Sequence, residues 1–204
     1  SEENIMPLGA NKAAIMGVSG VETIGTTIAL LSTQTASNSA TISFTSDITS
    51  KYREYIFKFY NINPATDDAH FGFQVSTDGG SSYGVAITST AFAALHEEDD
   101  GSDFFYATGE DLANGTGYQR IMNEMSNAAD SGGAATLHLF NPASTTYVKH
   151  WLCHASYMDN AYNTSAQRDL RTAGYVNSTS AVDAINFKME SGNFDGVIQL
   201  FGIS

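Results

Sequence analysis

From residue 26 to residue 201 the chain is broken every few positions by clusters of Gly, Asn, Asp, Ser or Pro. No stretch longer than about ten residues carries a 3.6-residue apolar period. That pattern bars long amphipathic helices and leaves short strands joined by turns. Residues 39–45 are the clearest case. Ala40, Ile42 and Phe44 fall to one side and Ser39, Thr41, Ser43 and Thr45 to the other, the period of a half-buried strand. Similar runs are expected at 26–33, 55–62, 71–75, 83–87, 118–125, 134–140, 147–157, 170–176, 184–189 and 196–201. Residues 88–95 are Ala-rich enough for a helix, but Ala91, Ala93 and Leu95 alternate with Phe92, which favours a strand. A single helical turn is expected at 111–114.

Some eleven or twelve strands predict an all-β fold, a jelly-roll-like two-sheet β-sandwich. No linker or internal repeat divides the 204 residues, so one domain is expected over 21–204. Residues 1–20 read as an extended N-terminal arm, with small residues and no sustained period. It either lies on a neighbouring subunit or frays.

Charge narrows the function. Nine Lys and Arg stand against 22 Asp and Glu, a net charge of −13. Nucleic-acid binding needs cations to neutralise phosphates, so nucleic acid is an unsuitable partner, as is an anionic membrane. No apolar run is long enough to span a bilayer, and Ser1-Glu2-Glu3-Asn4 lacks the basic start of a signal peptide. Charged residues total only 15%, against about 25% in ordinary domains, so Ser, Thr, Asn and Gly must supply the polar surface. Cys153 is the sole cysteine, which rules out an internal disulfide, and it is expected to be a small core residue.

No motif asks for a cofactor. Ser76-Thr77-Asp78-Gly79-Gly80-Ser81-Ser82-Tyr83 resembles the Asp-box of sialidase-type propellers. A single copy reads as a turn device, in which Asp78 accepts backbone N–H groups and the glycines take positive φ. His150, Leu152 and His154 share one strand face and His138 lies on another strand. Without further convergent ligands they read as face residues and not as a metal site. The acidic run 97–103 matches an EF-hand loop poorly and reads as a solvated loop. Glu54, Glu124 and Glu190 fall in predicted strands, but no acid sits in a glycosidase, P-loop or nucleophile motif. Tyr157, Tyr162 and Tyr175, near Asn160, Asn163 and Asn177, are the candidate ligand-binding residues. They form either a sugar-stacking or subunit-contact patch, or core packing.

Four stretches carry a resemblance. They are Tyr55-Ile56-Phe57-Lys58-Phe59 with 61–66, the Asp-box run 76–83, residues 137–150 (Leu-His-Leu-Phe-Asn-Pro-Ala-Ser-Thr-Thr-Tyr-Val-Lys-His), and the closing Ser191-Gly192-Asn193-Phe194-Asp195-Gly196-Val197-Ile198-Gln199-Leu200-Phe201-Gly202-Ile203. Together, over 25–204, they resemble small virion-associated β-sandwich proteins of tailed bacteriophages, marine ones especially, of head-decoration or tail-fibre type. The most specific pattern is S-G-N-x-D-x-G-x-I-x-L-x-G. Here Gly196 follows Asp195 directly, which leaves the strand register at that point open.

The resemblance implies a non-enzymatic structural protein on the exterior of a virion. It supplies no catalytic residues. Partners would be further copies of the chain, as a homo-oligomer and by fold analogy a trimer, and other virion proteins. A carbohydrate- or host-receptor-binding module, with a host-surface glycan as partner, is the alternative. A glycan-cleaving enzyme with two facing carboxylates is the second alternative.

Overall fold

The computed structural model describes residues 28–160 and 166–204. The expected arm at 1–20 therefore lies outside the described residues. Twelve strands follow one another: β1 (Ile28–Ser39), β2 (Ile42–Phe44), β3 (Glu54–Pro64), β4 (Ala69–Ser76), β5 (Ile87–Glu97), β6 (Ser102–Tyr106), β7 (Gln119–Met125), β8 (Gly133–Phe140), β9 (Lys149–Asp159), β10 (Ala166–Val176), β11 (Ala184–Met189) and β12 (Phe194–Ile203). Among the described residues there is no helix, so the chain is all-β.

All pairings are antiparallel, and the main path runs β1-β12-β3-β8-β9-β7-β4-β11-β2. A branch continues from β9 through β10 and β5 to β6. β7 meets β9 at a single residue pair, Met125 with Asp159, and the sheet folds over at that junction. At the other end Gln34 Nε2 on β1 donates to the Ser43 carbonyl on β2 at 2.8 Å, so the sheet is nearly closed into a barrel.

Alternation decides what fills the interior. Along β9, Trp151, Cys153, Ala155 and Tyr157 point inward, and His150, Leu152, His154 and Ser156 point outward. Inside, the Phe187 ring lies 5.0 Å from Phe59 and 5.3 Å from Phe57, and Phe73 packs edge-on to Trp151 at 5.1 Å. Such aromatic pairs add about 0.5–1.5 kcal/mol each beyond the area they bury. Cys153 is buried and free, with its thiol pushed well up by burial.

Several sequence expectations need correction. Residues 83–86 are not a strand; β5 begins at Ile87 and absorbs 88–95. Residues 111–114 form no helical turn, because this loop is pinned to β5 by backbone bonds from Ser89 to Leu112 and between Ile87 and Gly115. Ala40 sits in the turn between β1 and β2 and is exposed, while Ile42 and Phe44 are buried as expected. Glu190 lies one residue past β11. The acidic run is the β5–β6 hairpin turn, and β6 itself was not foreseen.

Candidate functional site

The outward face of the wide part of the sheet is the site's scaffold. Pairing registers align its side chains in rows. One row runs Leu30, Phe201, Ile56, His138, Leu152, Ala173 across β1, β12, β3, β8, β9 and β10. The next brings Ile28, Ile203, Glu54 and Phe140 together, with His150 and Tyr175 further along. Among the described residues Ile28 is 61% exposed, Leu30 54% and Leu152 42%, so this end of the face leaves large apolar side chains exposed around the His138–Glu54 pair. At the far edge Phe92, Phe104 and Tyr106 form an exposed aromatic group, the two phenylalanine rings 5.9 Å apart.

Polar groups on this face pair with each other. His138 Nδ1 meets Glu54 Oε1 at 2.6 Å, and His154 Nε2 meets Asp169 Oδ1 at 3.0 Å. Arg171 Nε also faces Asp169 Oδ1, at 3.3 Å. Burial works against the Asp169 charge, but the hydrogen bonds from His154 and Arg171 outweigh it and hold the carboxyl below the usual range. The His150 ring lies edge-on to Tyr175 at 6.0 Å. His150, Leu152 and His154 do share one face, but each histidine has its own neighbour. Among the described residues no three His, Cys, Asp or Glu side chains gather as metal ligands.

Toward the other end the face sinks into a trough of about 780 Å³, lined among others by Asn61, Asn63, Asp130, Ser156, Met158 and Gln167. A second hollow of about 330 Å³, between Lys58, Tyr60 and His154, shares Ala134 and Ser156 with it. The floor is low because small residues meet in register, Ala134 on β8 against Ser156 on β9.

Of the predicted tyrosines, Tyr157 and Tyr175 lie within the described residues. The Tyr157 ring is buried, and its hydroxyl accepts the Asn123 backbone N–H at 2.9 Å, so it is core. Tyr175 is half-buried beside His150. Tyr162 and Asn163 lie outside the described residues. Asn160 bonds Asp67 and Asn177 bonds Asn114, each tying loops together.

Sequence reasoning missed a buried ion cluster. Arg168, on the inward side of β10, donates through Nη1 to Asp159 at 2.6 Å and to Glu124 at 3.1 Å, and through Nη2 to Glu110 at 3.0 Å. Its guanidinium also lies over the Phe105 ring at 5.4 Å. Asp159, Glu110 and Arg168 are all buried. Placing Arg168 in an alternating strand that begins at Ala166 would have pointed it inward; the sequence reading began that strand at Leu170. Nearby, the Glu124 N–H donates to His70 Nδ1 at 3.0 Å, which leaves Nε2 as the protonated nitrogen facing Glu190 at 3.2 Å. Burial first, and Arg120 next, lower the His70 pKa.

The Asp-box behaves as a turn. Asp78 accepts from Ser76 Oγ at 2.6 Å and from the Ser82 backbone and hydroxyl, and Gly79 and Gly80 take φ of 71° and 83°.

No protein-family model matches the chain, and no curated protein matches it at a significant level.

Proposed function

We propose that the chain is a non-enzymatic structural protein of a tailed-phage virion, carried on the particle exterior as a capsid-decoration or tail-fibre component and assembled as a homo-oligomer, with three copies expected. The finer fold belongs to this proposal. The strand orders β1-β12-β3-β8 and β2-β11-β4-β7 support reading the sheet as a rolled double Greek key, a jelly roll. In that reading the hairpins β5–β6 and β9–β10 are insertions that widen the first sheet.

The observation that carries assembly is the apolar end of the outer face, from Leu30 through Phe201 to Leu152. On a chain of net charge −13, exposed Ile28, Leu30 and Leu152 around the His138–Glu54 pair support a contact surface over a solvated one. The ion cluster supports the non-enzymatic reading, because it commits Glu110, Glu124 and Asp159 to one guanidinium and leaves these three acids out of any facing carboxylate pair. Glycan binding is the second reading, favoured by the trough.

Leu30→Lys with Leu152→Lys tests the assembly face. The wild-type chain is expected to sediment as an oligomer and the double variant as a monomer with an unchanged β-type circular dichroism spectrum. A double variant that still assembles would remove this face from the account.

A further inference from the structure

We infer that the trough and the hollow adjoining it across Ala134 and Ser156 form one binding site for a neutral saccharide, with Tyr60 supplying the aromatic wall in the hollow and Asn61 and Asp130 the polar groups in the trough. The inference goes beyond assembly and stands apart from it.

A bulge builds the site. On β3, Phe59 pairs with Ala135 and Ile62 with Gly133, so three steps along β3 match two along β8, and β3 carries one extra residue. Tyr60 and Asn61 are consecutive and both exposed, Tyr60 lining the smaller hollow and Asn61 the trough beside it. Asn61 takes φ of 51°, a left-handed conformation that Asn tolerates. Bulges of this kind re-aim side chains next to binding sites. β12 meets the same extra residue from its other side, since Asp195 pairs with Asn63 and Val197 with Tyr60, two steps against three, at Gly196.

The rim is held, while its facing groups are unused. Asn63 Nδ2 donates to the Ala128 and Ser131 carbonyls at 3.0 and 2.9 Å and fixes the loop before β8. Gln167 Nε2 donates to Ser156 Oγ at 2.8 Å on the opposite wall. By contrast, the Tyr60 hydroxyl, the Asn61 amide and the Asp130 carboxylate make no hydrogen bond among the described residues.

An aromatic face beside an amide and a carboxylate suits a sugar ring. The ring's C–H face stacks on Tyr60, and neighbouring hydroxyls give to the carboxylate and exchange with the amide. Asp130 and Asp195 line the trough, and the whole chain carries −13, so sialylated or phosphorylated glycans are repelled.

The test is an array of neutral, sialylated and phosphorylated oligosaccharides, followed by titration calorimetry on the full chain, with oligolysine as a cationic control. The expected result is weak binding of a neutral oligosaccharide, with Kd on the order of millimolar to micromolar. Tyr60→Ala should weaken it about tenfold, and Ala134→Tyr, which fills the floor, should abolish it. If Tyr60→Ala unfolds at lower temperature, Asp130→Asn on the exposed loop takes its place, with a loss of similar size expected. No glycan binding by the wild type, binding of only anionic glycans or oligolysine, or neutral binding indifferent to these substitutions would each overturn the site. An oligomer that binds no sugar overturns the trough alone; a monomer that binds sugar overturns assembly alone.

Discussion

At the scale of single residues, Arg168 is the most consequential side chain. It joins β10 to β9, β7 and the loop before β7 through Asp159, Glu124 and Glu110. Arg168→Met leaves two buried carboxylates without this guanidinium. The expected cost is about 3–5 kcal/mol, read by urea unfolding, and a loss under about 1 kcal/mol would contradict the buried cluster. Gly196 is the second. It takes φ of 140°, and a Cβ there would lie 2.7 Å from Ile62 Cδ1 and 3.0 Å from the Asn61 carbonyl. Gly196→Ala should destabilise by about 1–3 kcal/mol through strain and contact together. Asp78 adds a pH signature. The Ser76 hydroxyl first, then the Ser82 hydroxyl and N–H, hold its carboxyl down from 3.8 to about 2. A depressed carboxyl stabilises the fold above its unfolded value and loses that contribution as pH falls from about 4 toward about 2. Asp78→Asn should therefore be less stable at neutral pH, and its melting temperature should fall less than the wild type's across that acid window.

At the scale of elements, alternation was legible and register was not. The inward Cys153 and the shared face of His150, Leu152 and His154 followed from period two alone. So did Gln199, Phe201 and Ile203 on one face of β12, opposite the buried Ile198 and Leu200. The β5 strand won over a helix because its small alanines pack inward from both neighbours, β6 and β10. What local pattern could not supply was pairing. The extra residue of β3 is visible only in its pairing with β8 and β12, so Tyr60 and Asn61 escaped notice. The Tyr157 ring could have been placed in the core outright had its strand's inward parity been applied to it. β6 was hidden by the acidic turn before it; its Asp103, Phe104 and Tyr106 are exposed at a sheet edge, where no burial pattern marks a strand. Edge strands of this kind invite pairing with another chain, and the charged turn beside β6 guards against it. Replacing Glu97, Glu98, Asp99 and Asp100 together by Ser should raise light scattering on concentration without changing the melting temperature by more than a few degrees.

At the scale of the molecule, a nearly closed antiparallel sheet carries two dissimilar ends of one outer face. Among the described residues one end exposes large apolar side chains, from Ile28 and Leu30 to Leu152; the other is a polar hollow over Ala134 and Ser156. Assembly is proposed for the first and ligand contact for the second, the two demands that the proposed virion exterior would place on a protein. The central claim is self-assembly through the apolar end. The most direct test is the mass of the wild-type chain by sedimentation equilibrium, repeated from low to high salt. A homo-oligomer, expected to be three copies and insensitive to ionic strength because its contact is apolar, is the predicted result. A single monomeric species at every concentration and salt would contradict it.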